Sequence, residues 1–175
     1  MVRAATAQEL AALVGTLGRI AWPADRDAAL RLADELGWTV VRASAAGVRY
    51  VTTLAVDDPR ARAMFSDDSA GAPTLESLTV HVSDRDETDA AGVGAAFETV
   101  CSSLSAELGP EAQRDAWGYP RRVWDLPTGG RVVVQDLRDI VILELLSLAM
   151  ADLECDEMRL GIDPSRVPGT GHEEL

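Results

Sequence analysis

Lysine is absent from this sequence: all sixteen basic residues are arginine, set against twenty-nine aspartates and glutamates. The formal net charge of −13 leaves too little cationic density for a binder that works by releasing counterions, so DNA and RNA are not expected partners. Histidine is nearly as scarce, with only His81 and His172 present, which argues against a histidine-based zinc site. Cys101 and Cys155 are the two cysteines. Their spacing fits neither a metal knuckle nor a redox pair, so a reduced, buried pair is expected. No apolar run reaches the roughly 18–20 residues that span a bilayer. Glu9 interrupts the apolar part of the first helix, which makes that segment an amphipathic repeat and not a signal peptide; the expected location is cytoplasmic.

What remains is an ordinary globular balance, 47% hydrophobic over 175 residues, enough for one domain with a full core. The strong acidity suits electrostatic steering toward a more basic partner.

The clearest local signals lie between residues 117 and 161. Residues 121–126 (RRVWDL) alternate in polarity, Pro127-Thr128-Gly129-Gly130 supplies a hairpin turn, and residues 131–137 (RVVVQDL) resume as a strand. Residues 140–146 (IVILELL) read as a further strand on their β-branched start, although periodicity alone also allows a helix. Ser147 then caps a helix over 148–160, and Gly161 ends it. Upstream, Thr6 and Glu9 form a capping box before Leu10, Leu13, Val14 and Leu17. A second helix follows Trp22-Pro23 and closes at Gly37. Residues 38–43 and 48–56 predict a hairpin. Residues 57–73 read as a long loop with one helical turn near 60–64, and residues 74–82 as a third strand. An acidic run from Asp84 to Asp89 opens a long helix that Gly109-Pro110 stops, and residues 111–116 read as a polar connector. The order α, αβββ, αβββ, α hints at duplication. It predicts an α+β fold: a twisted antiparallel sheet of about six strands with helices packed on one face. The domain is expected to cover residues 1–161, with 162–175 as a tail that frays.

Candidate chemistry is thin. The Asp84–Asp89 run lacks the glycine and distal glutamate of a calcium loop and reads as compensation of a helix dipole. His81 could act as a base with Asp84 or Glu76, but no serine or cysteine sits on a recognisable elbow, and Gly92-x-Gly94 lies inside a helix. No catalytic residue, cofactor or metal ligand is therefore assigned. Asp57, Asp58, Asp67 and Asp68 bracket the long loop and form a candidate acidic patch for a basic cleft. Trp117, Tyr119 and Trp124 crowd one strand start, and an exposed Trp117 or Tyr119 would anchor a partner.

The segments AWPADRDAALRLADELGW and VWDLPTGGRVVVQDLRDIVILELLSLAMADLECDEMRLGI resemble an uncharacterised family of small actinobacterial α+β proteins. Their element order is similar to the helix-and-meander folds of toxin-immunity and secretion-chaperone proteins. The reading that follows is a non-enzymatic acidic module that binds a protein, such as a toxin or secreted substrate. Its alternatives are a small enzyme or ligand sensor with a pocket between sheet and helices, lined by His81, Glu76 or Tyr50, and a homodimer paired through its aromatic face.

Overall fold

The computed structural model describes residues 1–67, 71–115 and 119–161. Two helices, α1 (Ala7–Leu17) and α2 (Arg26–Glu35), precede a meander of β1 (Thr39–Ser44), β2 (Gly47–Val51), β3 (Arg60–Asp67) and β4 (Pro73–His81). Helix α3 (Ala90–Leu108) leads into a second meander, β5 (Gln113–Asp115), β6 (Arg121–Asp125), β7 (Arg131–Asp136) and β8 (Val141–Leu146), and α4 (Leu148–Arg159) follows. All eight strands share one sheet in the order β1-β2-β3-β4-β8-β7-β6-β5. The chain thus adopts the α+β class with an antiparallel sheet, but with more strands than the sequence suggested.

The repeat is αββββ, not αβββ. The two meanders meet at an antiparallel seam where Ser77 faces Leu146, Thr79 faces Glu144 and His81 faces Ile142. Strand order is mirrored about this seam, so β1 corresponds to β5, β2 to β6, β3 to β7 and β4 to β8.

Three expectations about the strands need correction. Residues 57–73 are not a long loop with a helical turn: residues 60–67 form β3, which pairs with β2 and β4. Its RARAMFSD sequence alternates Arg with Ala, and alanine carries little strand signal; yet Ala61, Ala63 and Phe65 take the buried positions. The polar connector at 111–116 likewise contains the three-residue edge strand β5. Strand β2, expected to reach residue 56, leaves the sheet after Val51. There the Thr52 amide donates to the Pro59 carbonyl at 2.7 Å, while Leu54 and Val56 stay buried.

Three helices cover the inner face. Leu10, Leu13 and Leu17 of α1, Ala29, Leu32 and Ala33 of α2, and Val93, Phe97, Val100 and Leu104 of α3 pack in one cluster with Val48, Tyr50, Ala61, Leu78, Trp124, Val134, Leu143 and Leu145. Helix α4 departs from the expected one-sided arrangement. It lies on the outer face, where Met150 packs on Val123, Val133 and Leu146. The cause is visible in the strands beneath: Val132-Val133-Val134 and Leu145-Leu146 are all buried, as in a sheet covered on both sides.

Helix starts are fixed by side chains accepting from backbone amides. The Thr6–Glu9 capping box is complete, Asp25 caps α2, Asp89 caps α3, and the Ser147 hydroxyl accepts from the Met150 amide at 3.3 Å. These contacts satisfy amides that the first helical turn leaves open. At the β6–β7 hairpin Gly129 takes φ 98°, a conformation that suits glycine. A Cβ on Gly130 would come within 2.9 Å of the Trp22 ring.

Candidate functional site: the open half of the outer face

Cross-strand register lays three arginines side by side on the outer face of the first meander. Arg42 faces Arg49, Arg49 faces Arg62, and Arg62 faces Thr79. Residues directly opposite in an antiparallel pair lie about 5 Å apart, and like charges there repel. All three side chains are exposed, and none has a hydrogen bond or ion pair within the described residues. In a chain of net charge −13 this is a local reversal of sign.

The arginine row borders an open groove of about 630 Å³ whose lining includes Val41, Val51, Arg60, His81 and Arg85. Val41 and Val51 are exposed at 63% and 43%, so cationic and apolar surface are interleaved. At one end the groove is held by a web of ion pairs. Asp58 pairs with Arg60 and lies 3.2 Å from the His81 Nδ1. The Arg60 hydrogen bond, aided by the nearby cations, holds the Asp58 carboxyl below its usual range against the opposing effect of burial. Burial pushes the His81 imidazole down, with Asp58 pulling the other way. Arg85 pairs with Asp139, and its amide donates to Asp57 Oδ1 at 3.0 Å. The Asp57 amide donates in turn to Asp84 at 2.9 Å, which Arg3 clamps from the amino terminus through Nε at 2.7 Å and Nη2 at 3.0 Å. Burial works to raise the Asp84 pKa, but the Arg3 and Asp57 hydrogen bonds outweigh it and the net shift is downward.

This geometry redistributes the residues singled out in the sequence. Asp58 is a counterion to Arg60 inside the web, while Asp57 stays exposed and accepts from the Arg85 backbone amide. Asp67 sits at the far end of β3, about 23 Å along the strand from Arg60 at 3.3 Å per residue, so the proposed acidic patch is split. Asp68, Trp117 and the 162–175 tail lie outside the described residues. Tyr119 is 42% exposed, but it precedes β6 in the other meander. Trp124 is core, its Nε1 donating to the Gly109 carbonyl at 3.1 Å. The Asp84–Asp89 run is spent on local structure: Asp86 accepts from the Thr88 and Asp89 amides, and Asp89 caps α3. Cys101 is buried on α3 while Cys155 is half-buried on α4, so the two are on opposite sides of the sheet. Between sheet and helices the gap lined by Ala29, Leu32, Tyr50 and Leu78 measures about 10 Å³, far below the few hundred Å³ of a ligand pocket. Burial pushes the Tyr50 phenol up to about 12, and its hydroxyl donates to the Ala29 carbonyl at 3.3 Å.

The equivalent surface of the second meander is closed. Glu154 of α4 takes Arg121 through Nη2 at 2.9 and 3.1 Å, and Arg131 Nη1 lies 3.7 Å away. Arg131 also donates from Nε to Asp125 at 2.8 Å. The side chains of Arg121 and Arg131 are only 3% and 10% exposed. Burial, reinforced by the Glu154 charge, raises the neighbouring Glu144 carboxyl, opposed by the Thr79 hydroxyl and Arg121.

The sequence reading missed the arginine row because register across separate strands brings it together. A usable trace exists in AGVRYV and RARAMF, where arginine recurs at alternate positions opposite the apolar ones, the signature of a half-buried strand with a basic outer face.

The chain belongs to a family of unknown function, DUF6301, whose profile matches residues 8–147. The match closes at the residue before α4. No curated protein and no solved structure matches the chain. Among the described residues no helix is long and apolar enough to cross a membrane.

Proposed function

We propose that this protein is a non-enzymatic protein-binding module, immunity-like or chaperone-like in role, and that its docking surface is the open half of the sheet. The observation that supports this reading is the bare row Arg42–Arg49–Arg62 beside exposed Val41 and Val51. A surface that combines ordered arginines with apolar side chains has the composition of an interface core, where arginine is enriched and lysine depleted. The fold leaves the row uncovered, while the matching arginines of the second meander are sealed under α4. Overall acidity steers a basic partner toward the molecule, and the groove itself then accepts an acidic segment of that partner.

Photo-crosslinking in the native host tests this. A benzophenone amino acid at Val51 or Arg62 should give a discrete adduct with a polypeptide. The same probe at Arg31, exposed on α2 over the opposite face, should give none. Equal labelling at both faces, or none at either, overturns the proposal.

A second reading rests on the groove alone. Its volume of about 630 Å³ and its arginines suit a small polyanion. Calorimetry with pyrophosphate and citrate separates the two: saturable binding lost in Arg60→Ala and Arg62→Ala favours the small ligand.

A further inference from the structure

Among the described residues, apart from Met1, Tyr119 and Val40, which pairs with the inward-facing Tyr50, the exposed large apolar side chains fall into two groups: Val41 and Val51 on β1 and β2, and Leu148, Leu153 and Leu160 on or just after α4. The first group stands among Arg42, Arg49 and Arg62. The second stands among carboxylates, since Asp152 and Asp156 are exposed beside Leu153, and Glu157 is half-exposed. Asp156 is partly offset by Arg159 at 3.2 Å, whereas Asp152 and Glu157 have no hydrogen-bond or ion-pair partner within the described residues. The inward side of α4 is already used by Met150, Ala151 and Glu154, so these leucines and acids form its outward side.

Both groups lie on the same face of the sheet. Register carries Arg62 to Thr79, Thr79 to Glu144, and Glu144 to Val133, which is part of the cluster under α4. The outer face is therefore a ridge, acidic and leucine-rich, beside a hollow that is basic and valine-rich. The twelve residues of α4 span about 18 Å at 1.5 Å each, within the length of the eight-residue β3, about 26 Å at 3.3 Å per residue.

We propose that a second copy of this chain occupies the open half, laying its α4 across Arg42, Arg49 and Arg62 in a two-fold, face-to-face dimer. A two-fold axis lying in the plane of contact, along the β4–β8 seam, seats each ridge in the partner's hollow, so one operation forms both contacts. Leucines meet valines, and Asp152 and Glu157 meet the arginine row. This inference rests on the open half being a protein-docking face and names the copy that fills it when no other protein does.

Sedimentation equilibrium of the full chain tests it with charge reversal. The wild type should show a concentration-dependent dimer at low salt. Arg49→Glu with Arg62→Glu, and separately Asp152→Arg with Glu157→Arg, should each weaken it by about tenfold or more through like-charge repulsion. Mixing the two variants should restore a heterodimer, because one hollow is then acidic and the opposing ridge basic, while the other contact keeps its native signs. Circular dichroism confirms that each variant is folded. A wild type that stays monomeric at every concentration, a dimer indifferent to both reversals, or a mixture that does not reassociate overturns the inference. A monomer whose Val51 position still labels another protein defeats only the dimer. A dimer that labels itself alone defeats the foreign-partner reading.

Discussion

The two meanders present the same framework to solvent in opposite conditions. On β6 and β7, Arg121 and Arg131 are buried beneath α4 against Glu154, with Val123, Val133 and Leu146 beside them. On β2 and β3, the corresponding strands, Arg49 and Arg62 stand bare beside Val51. One half has thus turned outward arginines into a second core, and the other keeps them available. An arginine on a strand acquires its meaning from what covers it: a buried arginine must be paired, while an exposed one costs little and can be matched by something else.

This contrast makes graded predictions. The largest effect should come from Glu154→Ala, which removes the bidentate partner of Arg121 and a neighbour of Arg131; denaturant unfolding should register a loss of about 3 kcal/mol. Leu146→Ala opens the outer cluster at a cost of about 2–3 kcal/mol. Val51→Ala in the open half should stay within about 0.5 kcal/mol, as an exposed site does.

Glu144→Gln sharpens the comparison through pH. Because the folded carboxyl is raised above its usual 4.5, ionising it opposes folding as pH rises. The glutamine variant should therefore melt higher at neutral pH, with the gain vanishing below about pH 4.5, where the native acid is protonated. The sign is reversed at His81, where burial lowers the folded pKa from 6.5. Its contribution is present above pH 6.5 and fades as pH falls below that value. His81→Gln should flatten that part of the stability profile. The smallest change belongs to Arg49→Ala, which relieves cross-strand repulsion and should stabilise by a few tenths of a kcal/mol, less in high salt. A large loss there would mean that the row is structural after all and would erase the distinction between the halves.

Much of this architecture was legible in the sequence. The Thr6–Glu9 box, Ser147, Gly37 and Gly161 mark helix ends through local chemistry, and Pro127–Gly130 marks a hairpin; such signals need no knowledge of the rest of the fold. Strand β3 escaped because Ala61 and Ala63 fill buried positions without a strand-forming side chain, and their acidic flanks resemble a surface loop. Strand β5 carries no apolar pattern at all. The apolar run at 132–134 and the Leu145-Leu146 pair fit burial on both faces, but the sequence reading put the helices on one face, because which helix supplies the second cover depends on tertiary packing. The site was hidden for the same reason. Arg42, Arg49 and Arg62 are far apart in the chain and become neighbours only once three strands have found their register. Asp57 and Asp58 stood out as acids, but the Arg85 amide that Asp57 accepts from and the His81 ring beside Asp58 lie far along the chain and could be matched to them only in three dimensions.

Strand β1 exposes all six of its residues and, among the described residues, ends the sheet with one edge unpaired. Such a border is a template on which further chains can stack without limit, and proteins discourage that by placing charge where a new strand would have to lie. Arg42 stands in the middle of this border, so the residue that opens the cationic row also puts a charge on the strand where such stacking would begin.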